Sequence, residues 1–222
     1  MSSDYAQPAG APGAVAGATA LGVARATALF ERMDPAEAVT VLDPVLAADP
    51  ASVDGWNLMA RLRLALDENQ AALDAAGNAI ALAPEDPRAL ATASRALSLL
   101  GRHDDAVTMA YRAVIAEPKN ALWHDRVAWA LLVAERQFAD AEQAARTAIG
   151  LDPDEPHYYF THGLALDAMG HTDQARQALL ASLRMEPDNP VAQHRLAVLN
   201  GEAAREATPK KRAFKLFGRK KD

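Results

Sequence analysis

The chain has 222 residues, half of them hydrophobic but only 5 % aromatic, and a net charge of −6. It contains no cysteine, which excludes disulfides and thiolate metal sites. No apolar run approaches the ~20 residues of a membrane-spanning helix, and no basic leader precedes Arg25, so the expected setting is the cytoplasm.

Residues 1–18 are rich in Ala, Gly, Pro and Ser, with no periodic apolar face. They have too little bulk to offset their ordering entropy, so disorder is expected. A first helix pair follows over 19–52. Asp34 is placed to cap its second helix, Pro35 takes the first helical position, and Glu37 completes a capping box. Pro44 falls inside that second helix and is expected to kink or shorten it.

From there the chain repeats itself. Pro50, Pro84, Pro118, Pro153 and Pro187 are separated by 34, 34, 35 and 34 residues. A small residue recurs in each first helix as Ala26, Ala60, Ser94, Ala128, Gly163 and Ala197. An alanine opens each second helix as Ala38, Ala72, Ala106, Ala141 and Ala175. A branched aliphatic sits four residues before each proline, as Leu46, Ile80, Val114, Ile149 and Leu183. Such fixed-period similarity is the mark of stacked units, none of which can bury its apolar face alone. The further units are 53–86, 87–120, 121–155 and 156–189, with the extra residue of the fourth in its turn, within Ala134 to Phe138. Three first helices open on Asp86-Pro87, Glu155-Pro156 and Asn189-Pro190. Gly101 and Gly170 mark left-handed turns; the glycine-free turns near Asp67 and Glu135 are expected to be less sharply specified. The stretch 190–207 reads as a lone capping helix, broken by Thr208-Pro209, and 208–222 is a basic tail.

This pattern resembles the tetratricopeptide repeat family, with its 34-residue W-x2-L-G-x2-Y, A-x3-F, A, P unit. Trp56 and Tyr159 fill the first aromatic slot, with Leu90 and His124 as weaker occupants. The phenylalanine slot departs from the pattern, holding Leu42, Ala76, Ala110, Ala145 and Leu179. The resemblance implies an all-α, right-handed superhelical solenoid of about five units plus a capping helix.

It also implies protein–protein interaction as an adaptor or scaffold. Positions two, five, nine and twelve of each first helix would then line a concave groove. Asn57, Arg61, Arg88 and Arg95 make its front half polar and basic; Trp129, Leu132, Phe160 and Leu164 make its rear half apolar. Trp129 and Phe160 either face the groove or pack between helices. The carboxylate-clamp subclass is not matched, because only Asn57 could be a counterpart and its lysines are absent.

No phosphate-cradling glycine loop, HExxH or cysteine nucleophile is present. Neither catalysis, nor a cofactor, nor a metal, nor a small-molecule substrate is expected. His157 and His162, five apart on one helix, point to different faces. The tail carries Lys210, Lys211, Arg212, Lys215, Arg219, Lys220 and Lys221 around Phe214, Leu216 and Phe217, a net +6 on an acidic body. That composition suits an anionic surface at the inner face of a membrane, with nucleic acid ranked behind it. A tail-driven peripheral binder and an accessory subunit of an enzyme are the alternatives to the adaptor.

Overall fold

The structure is a computed structural model and describes residues 12–202. Among these residues the secondary structure is entirely helical, and the chain divides into two compact units, one up to Pro84 and one from Glu85.

The first unit holds α1 (Pro12–Glu31), α2 (Pro35–Ala48), α3 (Val53–Ala65) and α4 (Asn69–Leu82). Here α1 packs on α2 and α3 on α4, while α3 also lies against α2 and α1. Helix α1 starts at Pro12, so residues 12–18 are helical where disorder is expected from composition. Pro12 suits a first turn, and Ala14, Ala16 and Ala18 are strong helix formers that extend a helix already anchored further along. The α1–α2 crossing is close: a Cβ on Gly22 would lie 2.4 Å from the Val45 side chain.

Pro44 does not shorten α2, which keeps the 14 residues of every other second helix. Pro44 is exposed, while Leu42 and Leu46 on either side of it are buried and hold the helix to its neighbours. The capping box is also only half made. Asp34 Oδ1 accepts from the Glu37 N–H at 3.0 Å, but the Asp34 N–H is already donated to the Leu29 carbonyl at 3.1 Å. Glu37 therefore has no donor to reach back to.

The second unit holds α5 (Pro87–Leu99), α6 (His103–Ala116), α7 (Ala121–Val133), α8 (Phe138–Leu151), α9 (Pro156–Ala168), α10 (Thr172–Met185) and α11 (Pro190–Leu199). Each helix packs on the next, and α7 also lies against both α5 and α9. The repeated alanines Ala38, Ala72, Ala106, Ala141 and Ala175 are all fully buried, as are Leu42, Ala76, Ala110 and Ala145 in the phenylalanine slot; Leu179 is 1 % exposed. The aliphatics Ile80, Val114, Ile149 and Leu183 are only half-buried. The residues one step earlier, Ala79, Ala113, Ala148 and Ser182, take the fully buried position. Small side chains here let the helices cross closely, which is how a chain poor in aromatics fills its core.

Every first helix ends in one cap. Met33, Asp67, Gly101, Glu135, Gly170 and Gly201 all have positive φ. In each case that residue's N–H bonds back three residues, and the following N–H bonds back five, as in Gly101 to Ser98 (3.2 Å) and Arg102 to Leu97 (2.9 Å). This is the Schellman pattern, which satisfies carbonyls the helix leaves open. Asp67 and Glu135 make it as completely as the glycines, so those turns are specified by the backbone bonds rather than by residue type. The loop Ala134–Gln137 holds the extra residue, and Gln137 takes a second left-handed conformation to absorb it. Helix α11 stops at Leu199, earlier than the expected end of the capping helix, because Gly201 makes the same cap one turn sooner. Residues 203–207 lie outside the described residues.

Candidate interaction surface

The first helices begin from polar caps that fix their entry. Asp86 accepts from the N–H groups of Arg88 (2.9 Å) and Ala89 (3.4 Å), Glu155 from His157 (3.2 Å), and Asn189 from Val191 and Ala192 (both 3.1 Å). The fourth residue of several first helices then ties back to the proline before it. Trp56 Nε1 donates to the Pro50 carbonyl at 2.8 Å, Gln193 Nε2 to that of Pro187 at 2.7 Å, and His124 Nε2 lies 2.8 Å from that of Pro118. The family's aromatic slot thus doubles as a polar clasp, and Trp56 is half-buried.

In the first unit the two expected groove residues differ. Asn57 is buried at 5 % exposure and is not offered to a partner. Arg61 is exposed, with its guanidinium 5.2 Å from the centre of the Phe30 ring on α1. That stacking holds the side chain over an apolar base while leaving its charge in water.

In the second unit Arg88 is exposed but held by its own cap residue. Its Nε and Nη2 donate to the two Asp86 carboxylate oxygens at 3.1 and 2.7 Å. Arg95, on α5, is half-buried, and burial together with the nearby charge of Arg126 on α7 lowers the pKa of its guanidinium to about 10. Trp129 and Leu164 are half-buried and both pack on the cluster that contains Phe160, Leu166 and Leu179. Phe160 itself is 2 % exposed and lies inside that cluster, so it packs between helices and does not line a groove. The fifth position of a first helix faces the neighbouring helices: Ala91 and Asp125 are buried there as well. Leu132 is half-buried against a separate cluster of Val127, Leu131 and Ala165. Lys210, Lys211, Arg212, Phe214, Lys215, Phe217, Arg219, Lys220 and Lys221 lie outside the described residues.

The structure adds a polar contact between α7 and α9. His157 Nε2 is 3.3 Å from Oδ2 of the fully buried Asp125, and the centre of the His157 ring lies 6.3 Å from that of Trp129 and 6.2 Å from that of Phe160. His162, on the other side of α9, reaches Glu142 on α8 at 2.9 Å. By strict geometry neither Asp125 oxygen has a well-aligned hydrogen bond. Burial pushes the Asp125 carboxyl up. The charge and contact of His157, the charge of Arg126 and the Thr161 hydroxyl outweigh it, and hold the carboxyl below its ordinary range. A depressed carboxyl contributes stability above its unfolded value of 3.8, and that contribution is lost as pH falls through the lower folded value. Asp125→Asn is therefore expected to cost about 1–3 kcal/mol at neutral pH. The gap to the parent should close in the acid limb below the unfolded value, which denaturant titrations across that range would read. A gap that stays constant with pH would show that packing, not charge, is lost.

Within each unit, helix pairs repeat with second helices of one length, one cap and one buried alanine register, which defines a helical-repeat protein. The chain belongs to the tetratricopeptide repeat family, whose profile matches residues 23–87, 57–121 and 126–190. It is an all-α solenoid of such units. No curated protein matches it. Among solved structures, a thermophilic TPR protein of Thermus thermophilus is 19 % identical with a TM-score of 0.71, covering 82 % of this chain and 98 % of that one. PilF of Pseudomonas aeruginosa is 17 % identical with a TM-score of 0.71, covering 92 % and 90 %. YrrB, described as a TPR protein with an unusual peptide-binding site, is 16 % identical with a TM-score of 0.59, covering 78 % and 89 %. At these identities the likeness is one of fold. Among the described residues no helix is long and apolar enough to cross a membrane.

Proposed function

We propose that this protein is an interaction adaptor or scaffold whose second unit holds a segment of a partner protein along its first-helix face. The observation that supports this most is the half-buried Trp129. It packs, beside Leu164, against the cluster that contains Phe160, and is itself only half-buried. Rigid aromatic side chains of this kind commonly dominate binding energy. YrrB, which shares the fold, is described as having a peptide-binding site, and that agrees with this use of the family. The proposal assigns no catalytic step to the chain.

Affinity capture with the full chain as bait, followed by mass spectrometry and a direct affinity measurement, tests it. Trp129→Ala is expected to weaken the captured partner by about 2 kcal/mol or more, roughly thirtyfold, in protein that remains folded by circular dichroism. Unchanged affinity would remove this face from the interaction. A partner retained by Trp129→Ala but lost when 210–222 is deleted would move the contact to the basic segment.

A further inference from the structure

The second helices of the second unit leave apolar side chains in solvent at one end. Ile115 on α6, Leu151 on α8 and Met185 on α10 are exposed, and each lies in the last two residues of its helix. Those helix ends share one edge of the unit. Ala121 at the start of α7, Ala148 at the end of α8 and Tyr158 at the start of α9 form one buried cluster. Leu183 of α10 and Val191 of α11 pack on the cluster that holds Phe160 of α9. Charge follows directly after Leu151 and Met185. Asp152, Asp154, Glu186 and Asp188 are all exposed, and among the described residues none of them is in an ion pair. The stretch 148–156 has no cation, and 181–189 has only Arg184. At the other end of the same helices the acids are matched: Asp104 meets Arg136, Asp105 meets Arg102 and Asp173 meets Arg176.

We propose that residues 210–221 of this same chain dock on that edge, with their cations against the four acids and Phe214, Leu216 and Phe217 against Leu151 and Met185. The occupant follows from charge and from reach. The segment holds Lys210, Lys211, Arg212, Lys215, Arg219, Lys220 and Lys221, three large apolar residues and no acid. It is the complement of the edge in both respects. Helix α11 begins at this edge, after Asn189, and its 10 residues span about 15 Å towards Glu202, the last described residue. Residues 203–209 can cover up to about 23–25 Å when extended, so Lys210 can return to Glu186 and Asp188. A tether this short gives an effective concentration on the order of millimolar, at which contacts between exposed charges, each weak alone, can occupy the edge together. Once docked, the same cations are unavailable to an anionic surface, which must displace the segment to bind it. This contact stands apart from any partner held on the first-helix face.

The chain has no cysteine, so Asp222→Cys supplies a single thiol for a nitroxide label beside the segment. In the isotope-labelled full chain at low salt, the nitroxide should remove the amide signals of Leu151, Asp152, Met185 and Glu186, measured against the reduced label. Those of Gly101 and Glu135, at the other end of the helices, should remain. The lost signals should return at about 1 M salt, where screening acts within about 3 Å. Asp152→Lys with Asp154→Lys should restore the signals of Leu151 and Met185 in protein with parental circular dichroism, whereas Glu135→Lys with Asp140→Lys should not. Phe214→Ser with Phe217→Ser alters only the segment and should restore them too. Edge signals that survive at low salt would overturn the docking, as would loss at Trp129 and Leu132 in their place. A mixture of isotope-labelled chain lacking the thiol and unlabelled chain carrying the nitroxide checks for exchange between copies. Loss of the edge signals in that mixture would move the segment to a second copy and overturn the intramolecular contact.

Discussion

Phe160→Ala is expected to destabilise the second unit by about 3–5 kcal/mol, the range for emptying a large aromatic site in a core. Phe160 is 2 % exposed and is the largest fully buried side chain among the described residues. It belongs to a buried cluster with Leu166, Ala175, Leu179, Ala192 and Leu199, from α9, α10 and α11. Those helices are held by caps and turns at both ends, so they can collapse only partly into the space left behind. With total stabilities of ~5–15 kcal/mol for a domain, such a loss is a large fraction of the whole. Because contacts in a repeat stack are made only between neighbours, the loss should appear first as early melting of the C-terminal helices. Hydrogen exchange resolved by segment would show α9 to α11 opening before α5 and α6. The same variant separates two roles. A groove residue would lose affinity and keep stability. Phe160→Ala should do the reverse once binding is corrected for the folded fraction. Unchanged melting would mean that the ring is not packed between the helices as described.

Ala141→Trp is expected to cost about 3 kcal/mol or more, at or beyond the upper end of ordinary overpacking. Ala141 has no exposed surface, and its cluster draws Val107 and Ala110 from α6, Val127, Ala130 and Leu131 from α7, and Ala165 from α9. The cluster around it is drawn from three other helices, so an indole there disturbs more than one packing contact. Protein interiors are packed close to crystal density, so added volume of this size displaces its neighbours. Ala139→Trp, two residues earlier on the exposed face of α8, is the control and should change stability little. Equal melting of the two variants would show that the buried register of α8 is wrong. The comparison is sharp because the two sites share helix, residue type and substitution.

The groove positions brought in with the family resemblance were read unevenly. Trp129 and Leu164, each the ninth residue of its first helix, pack against the same buried cluster. Phe160 and Asn57 fail for one shared reason. The fifth position of a first helix is turned into its neighbours, and the resemblance treats it as facing a partner. Arg88 is diverted by Asp86, a residue two earlier whose capping role is legible but whose second use, as an ion-pair partner, is not.

The sequence alone determined the helix pairs, their period, the alanine positions and the place of the inserted residue. These depend on local signals, namely proline at first turns, polar caps and apolar spacing, which act within a few residues of themselves. It did not determine that Asp67 and Glu135 would take left-handed caps, since those conformations are imposed by backbone bonds that form only once the helix and its successor are in place. Nor did it determine the pairing of Asp125 with His157. That depends on which side chains meet across helices about a full repeat apart in the chain. Burial then decides the outcome, since the same carboxylate or guanidinium that is ordinary in water becomes consequential when half its solvent is taken away.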